Sequence, residues 1–470
     1  MKRIVFIIFL LAFVSILNAQ WTSPGNGTTY TIEDLVELSN GCVIWSESNN
    51  SYRIENDVTI SANDKLDVNH SLNFGNNVTL TIKGSIEAIN MSDYYWLSFS
   101  GNYGVNGRIR LEDATAPCLF RRCYFTQLDG IQVIESEAVF TDCHFQNFRC
   151  EQQSAVVDCM NCDPVFTNCD FDNNSGSAIC SPANGQTSPQ IIDCIFFLNL
   201  GENRPQINLG PGAQDSIRIV RCTIDDGDYT IGGISIADLI GTGATKILLK
   251  DNIIKNCRYG YNQQGYNLSS VIIDNQFIDN NLETNPMNGG SGISVFGMNE
   301  NNKAVIRNNM ITGNLWGITA INAFDIDLGT EDDWGHNQIH DNGNGGVIYD
   351  LYNNSPGDIM AVGNDWGTTA EQEIEDHIVH QYDNPEHGLV NYIPFVGYDA
   401  VNEENTCNFN VSPNPAQGRF TVNGQGSMTI TNSLGQTIIT KEIDGEESIA
   451  LPRGLYVVKI GNATRMVIVE

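Results

Sequence analysis

Apolar positions recur along this chain at a spacing that can be counted. Cys123, Cys143, Cys169, Cys194, Cys222, Asn252, Asn275, Asn309, Asn337 and Asn364 form one column, with nine intervals averaging about 27 residues. Three positions before it stand Phe120, Phe140, Phe166, Ile191, Ile219, Leu249, Ile272, Ile306, Trp334 and Ala361. Two positions after it stand Phe125, Phe145, Phe171, Phe196, Ile224, Ile254, Phe277, Ile311, Ile339 and Trp366. Every flanking residue is apolar. An earlier strand of the form Gly-apolar-x-apolar belongs to the same unit, as in Gly233–Ile236, Gly292–Val295, Gly317–Ala320 and Gly346–Tyr349. Period-two strands that repeat with no helical segment between them predict one solenoid turn per repeat. Helical repeats need apolar spacings of three and four, which are missing. The expected fold is an all-β, right-handed parallel β-helix whose ten counted coils span roughly 48 Å.

Upstream, Tyr52–Ile60, Lys65–Val68, Ser71–Phe74 and Val78–Ile82 alternate in the same way and read as opening coils. Before them Ile32, Leu35, Val36 and Leu38 lie near helical spacing, predicting a short amphipathic helix over the open first coil. At the other end, Asn402–Thr406 is a polar linker. Short strands then alternate through Phe420–Val422, Met428–Ile430, Ile438–Ile439 and Leu455–Ile460, predicting a small β-sandwich over 402–470. Met1-Lys2-Arg3 followed by the apolar run Ile4–Leu17 and Asn18-Ala19 reads as a secretory signal peptide over 1–19, cut after Ala19. An uncleaved anchor is the rival, but a span needs about 20 apolar residues. No later apolar run reaches that length, so no transmembrane span is expected in the mature chain.

The terminal segment resembles the type A C-terminal sorting domain of the Bacteroidota type IX secretion system. The likeness rests on Ser412-Pro413-Asn414-Pro415-Ala-Gln-Gly418-Arg-Phe420, Asn432-Ser-Leu-Gly435-Gln and Leu451-Pro-Arg-Gly454-Leu-Tyr456-Val-Val-Lys-Ile460. It implies recognition by the type IX machinery through Pro413, Asn414, Pro415, Gly435, Gly454 and Tyr456, and export to the surface or medium. The body, 20–401 with its cap, resembles secreted right-handed β-helix proteins of the pectate-lyase-like fold group. That likeness rests on the opening Tyr52–Ile60 and the close Gly363-Asn-Asp-Trp-Gly367, then Asp383–Phe395. It implies fold far more than function, because the group holds lyases, hydrolases and adhesins.

Charge narrows the partners. With 24 Lys+Arg against 56 Asp+Glu the formal charge is −32. Binding to a phosphate backbone relies on Lys and Arg displacing counterions, so nucleic-acid binding is excluded. Thirteen cysteines in an exported chain invite disulfides. Yet parallel stacked Cβ vectors suit a disulfide dihedral badly, so the Cys/Asn column is expected to be a structural ladder of free thiols and amides. Cys159-x-x-Cys162 lacks the further ligands a zinc site needs and reads as structural.

Two acidic groups are candidate calcium sites. Asp325, Asp327, Asp332 and Asp333 carry oxygens at near-alternate positions around Gly329, and Asp225, Asp226 and Asp228 form the tightest acidic set in a repeat. A solvated turn is the rival for the second, and the first lacks the distal bidentate Glu of an EF-hand. Tyr94-Tyr95-Trp96 and Tyr259-x-Tyr261 with Tyr266 could supply sugar platforms, whereas Trp316 and Trp366 fall on repeat positions that read as core. No constellation satisfies a mechanism. The expected function is therefore a carbohydrate- or matrix-binding surface protein without catalysis. The alternative is an extracellular polysaccharide lyase or hydrolase, with calcium as a possible cofactor.

Overall fold

Alternation of apolar and polar residues puts one strand of each coil into each of three parallel sheets. The structure is a computed structural model, describing residues 20–396 and 409–470 except 48–49, 93, 102–106, 152–154, 201–202, 229, 242, 346, 433–434 and 462. The expected signal peptide, the linker and Cys407 lie outside the described residues. The chain divides into two compact units at residues 396 and 397.

Among the described residues the first unit holds sheets of 14, 14 and 13 strands, here A, B and C. A coil runs from A to B to C: Arg108–Glu112, Cys118–Arg121 and Cys123–Thr126 are one example. Apart from Val43–Ser46, which starts sheet C antiparallel to Ser51–Ile54, strands pair in parallel register with their counterparts one coil away, as Phe120 opposite Phe140 and Phe125 opposite Phe145. Inward positions therefore stack like on like. Phe120, Phe140 and Phe166 lie 4.9 and 5.1 Å apart with planes within 5°, and Phe125, Phe145, Phe171 and Phe196 form a second pile. Burying such piles along one continuous core is the dominant stabilising term.

The B-to-C corner is a single residue. Asp142, Asn168, Asp193, Asp251, Asp274 and Asn308 occupy it, as do Arg122, Arg221 and His336, with φ of 50–60°. Asp and Asn tolerate this left-handed conformation best, which explains their frequency immediately before the column. A corner leaves backbone groups without sheet partners, and the next residue supplies them. Asn252 Nδ2 donates to Asn275 Oδ1 (2.8 Å) and to the Ile219 carbonyl (2.8 Å), while the Cys222 N–H donates to Asn252 Oδ1 (2.9 Å). The same amide bonds continue through Asn309 and Asn337 to Asn364. In the earlier coils a thiol takes the place: Cys123 Sγ lies 3.2 Å from the Ala88 carbonyl. Eleven of the twelve described cysteines, all but Cys180, are buried. Burial raises the pKa of Cys118 to about 11 and of Cys180 to about 12, so these thiols stay protonated and unreactive. Thiol titration of the unreduced protein should find almost none in the folded state and at least twelve in guanidinium; two fewer would mean a disulfide.

A second ladder runs five residues after the first. Asn280 Nδ2 donates to Asn314 Oδ1 (3.0 Å), Asn314 to Asn342 (2.9 Å) and Asn342 to Asp350 Oδ1 (2.9 Å). It ends on an ion pair, Asp350 to His377 Nδ1 at 3.1 Å.

Both ends of the solenoid are covered. Helix α1 (Ile32–Leu38) starts on a capping box between Thr31 and Asp34 and buries Ile32 and Leu35 in the core. Helix α2 (Glu371–Asp376) buries Ile374 at the other end. There His380 is buried, its Nδ1 accepting from the Val390 N–H (2.9 Å) and its Nε2 lying 2.8 Å from Glu375 Oε1.

Three expectations change. The sheet strand expected at Gly346–Tyr349 is instead Leu351–Asn354, while Val347–Ile348 pairs antiparallel with Gly343–Asn344 in a small hairpin. Leu351 is the residue that registers with buried Ile318. Trp334 is half-exposed: Ile326 and Leu328 fill the core, and residues 330–334 loop outward between Gly329 and Gly335. The second unit is one five-stranded antiparallel sheet. Its two long strands, Arg419–Asn432 and Thr437–Ala450, carry both layers, and a bridge from Ala416 to Val469 curls the sheet into a half-barrel.

Candidate functional site

Residues that face outward from sheet A come together in coils near the C-terminal end of the solenoid. Asn262, Ser294, Thr319 and Tyr352 lie in one register row across strands Tyr261–Gly265, Ser291–Gly297, Trp316–Ile321 and Leu351–Asn354. Their neighbours Ile293, Ile318 and Leu351 point into the core. Gly260, Gly292 and Gly317 stand at the starts of three of these strands, where a side chain would meet the next coil: a Cβ on Gly317 would stand 2.3 Å from the Asp350 carbonyl oxygen.

The connection over 279–290 rises beside this row and makes a wall. The result is a cleft of about 370 Å3 lined by Tyr259, Met287, Trp316, Tyr352 and neutral amide and hydroxyl side chains. Trp316 is held in place: its indole N–H donates to the Pro286 carbonyl (3.1 Å), and its ring lies 4.3 Å from Tyr349 and 5.2 Å from Tyr352. Ser291 and Thr319 hydroxyls lie 2.9 Å apart, and Asn262 Nδ2 donates to Ser235 Oγ (3.2 Å). Burial pushes the Tyr259 hydroxyl up to about 12, so it remains a neutral donor. Among the described residues the lining holds no Asp, Glu, His, Lys or Arg side chain. It therefore offers aromatic faces and neutral hydrogen-bonding groups.

This reverses the reading of Trp316. By alternation it shares the parity of Ile318 and should point inward. At this corner the inside is already taken by the second asparagine ladder, with Asn342 Nδ2 2.9 Å from where a Cβ on Gly317 would stand. The ring swings out. Trp366 is buried, and of the tyrosine cluster Tyr261 is buried while Tyr259 lines the cleft.

The acidic candidates are placed differently from a calcium loop. Asp325 pairs with Lys303 at 2.6 Å, and Arg307 bridges Asp327 (2.7 Å) and Asp333 (3.0 Å), leaving Asp332 exposed to solvent. Asp225 pairs with Lys255, and Asp228 accepts from the Thr230 N–H and hydroxyl, each at 2.8 Å. Asp226 is buried and points into the coil. The described residues contain no group of three or more His, Cys, Asp or Glu that could hold a metal. Lys255, Lys303 and Arg307 thus pair with Asp225, Asp325, Asp327 and Asp333.

In the second unit Asn414 ties the last strand: its Nδ2 donates to the Met466 carbonyl (2.8 Å) and its Oδ1 accepts from the Ile468 N–H (2.9 Å). The Tyr456 hydroxyl donates to the Pro452 carbonyl (2.9 Å) over Gly454. Gly435 turns at a φ of 76°. No described helix is long and apolar enough to cross a membrane.

Family comparisons divide the chain in the same places. Residues 87–238 match the right handed beta helix region, 212–372 match a protein of unknown function (DUF1565), and 410–470 match the secretion system C-terminal sorting domain. No curated protein matches. Among solved structures, a double mutant of the periplasmic alginate epimerase AlgG is similar at 11% identity and a TM-score of 0.42, over 78% of this chain and 84% of that one. A single mutant of the same protein gives 11% identity and a TM-score of 0.41 over the same shares.

Proposed function

We propose that this chain, a right-handed β-helix protein that its sorting domain sends to the cell surface or extracellular space by type IX secretion, binds a neutral polysaccharide there without catalysis. One observation carries the reading. The Trp316 cleft joins fixed aromatic faces to hydroxyl and amide groups, and among its described lining residues the ionisable ones are tyrosines. A sugar ring has apolar C–H faces and a hydroxyl edge, and such a cleft answers both. The net charge of −32 opposes uronate chains at long range as well. Residues 1–19, as a signal peptide, would start the route.

The test takes the purified protein and a panel of neutral and acidic polysaccharides, with calcium and with chelator, following binding and chain length together. Binding of a neutral polymer, unaffected by chelator and without shortening, is expected. Trp316→Ala should weaken it about tenfold with an unchanged melting curve. Chain shortening, or full affinity in that variant, would overturn the proposal.

A further inference from the structure

A second aromatic site lies elsewhere on the solenoid, far from the cleft. Trp96 is 42% exposed and Tyr95 beside it 74% exposed. Trp96 is nevertheless fixed. Its ring meets the edge of His144 at 4.6 Å and 82°, and His144 Nδ1 is 3.3 Å from an Asp170 carboxylate oxygen. Hollows open on both sides of the indole. One, about 410 Å3, is bordered by Asn69, Ser71, Asn90, Ser92 and Tyr95. The other, about 250 Å3, is bordered by Arg122, Asp142, His144, Asn168 and Asp170. A ring standing between two largely polar rims, which also include His70, Ile89 and Leu97, is a groove for a flat molecule with an apolar face and many hydroxyls.

From this groove we infer a second carbohydrate site that takes a neutral sugar ring against Trp96 and Tyr95. Its charges select against a uronate: Asp142 and Asp170 would repel a carboxylate and accept hydrogen bonds from sugar hydroxyls. The cations nearby are already engaged. Arg122 donates to the Ser92 carbonyl (2.8 Å), and Arg121 lies 3.7 Å from Asp142. The groove crosses the coils of strands Leu97–Ser100 to Asp170–Asp172, whereas the cleft crosses those from Tyr261 to Asn354. At 4.8 Å per coil their centres stand roughly 34 Å apart along the axis. A hexasaccharide cannot bridge them across different faces, but a long polymer, or two strands of one, can engage both. The inference rests on the proposal that the protein binds neutral glycans, and adds a second point of attachment that would raise affinity for polymers by avidity.

Calorimetric titration of the full-length protein with cellohexaose, maltohexaose and mannohexaose tests it. Two molecules of one of these should bind per chain. Trp96→Ala should leave one, Trp316→Ala should leave one, and the double variant none, all with unchanged melting curves. For the corresponding long polymer, either single variant should lose roughly tenfold or more in affinity. A stoichiometry of one that Trp316→Ala alone abolishes would overturn the second site and leave the cleft standing. Two bound molecules that Trp96→Ala leaves undisturbed would also remove the groove. Failure of the unmodified protein to bind any of the three would contradict both sites. Shortening of the oligosaccharide that His144→Ala stops would make the groove catalytic and overturn its reading as a binding surface.

Discussion

Phe145→Ala is expected to lower the stability of the β-helix by about 3–5 kcal/mol, the range for emptying a phenylalanine site in a core that cannot collapse. Phe145 is fully buried and sandwiched, with Phe125 5.0 Å away on one side and Phe171 4.4 Å away on the other. Collapse is blocked because the rings sit on strands whose spacing is set by the sheet ladder, not by the side chains. The cavity would therefore persist, and both stacking contacts would be lost with it. All six tryptophans lie before residue 397, so denaturant unfolding followed by tryptophan fluorescence reports this unit alone. A loss under about 1 kcal/mol would show that the aromatic pile is not what holds the coils together.

Asp226→Asn should act in the opposite direction, stabilising the protein by about 2–4 kcal/mol at pH 8. Asp226 lies four residues after Cys222, one short of the spacing that sets Asn174 and Asn199 in the two preceding coils, and it is completely buried. Asn174 bonds to Asn199 (2.6 Å), but Asn199 then turns to Gln206 (2.6 Å), so the ladder breaks at this coil. Neither Asp226 oxygen meets a hydrogen-bond donor in good geometry. Burial first, and the Asp228 and Asp225 charges after it, push its pKa up to about 7, against the Gln206 amide that favours the anion. An unfolded Asp titrates near pH 3.9. The folded state thus holds its proton longer. Stability therefore falls as pH rises from about 4 to about 7, by no more than about 1.4 kcal/mol for each pH unit crossed. The amide variant has no proton to lose. Its advantage should be full at pH 8 and nearly absent at pH 4. Equal stability of the two proteins at pH 8, or the same gain at both pH values, would contradict a buried, titrating carboxyl.

The repeat is legible because an inward column in a solenoid is constrained by copies of itself. Phe120, Phe140 and Phe166 must match in size to stack, and a corner that needs hydrogen bonds admits few residue types. The second ladder is written just as plainly in Asn275 and Asn280, Asn309 and Asn314, and Asn337 and Asn342, each pair five residues apart. Apolar columns flank only the first ladder, and without such a frame the second does not stand out from the many other asparagines. Asn414 and Tyr456 are legible as parts of a motif, and what the structure adds is the strand and turn that each one ties. The cleft is not legible. Its wall over 279–290, its Trp316 and its Tyr352 come from different coils whose connections vary in length, so no spacing along the chain brings them together. Trp316 itself obeys the alternation and is turned outward only by the amides of a neighbouring coil. The acidic runs mislead for a related reason: their partners Lys303 and Arg307 sit one coil earlier, on a different strand of the same sheet.

A crystal structure of the protein with a bound neutral hexasaccharide tests the central claim most directly. A sugar ring should lie against Trp316 and Tyr352 beneath the 279–290 wall, with its hydroxyls on Asn262, Ser294 or Thr319 and every glycosidic bond intact. An oligosaccharide that leaves this cleft empty, or one found cleaved, would contradict it.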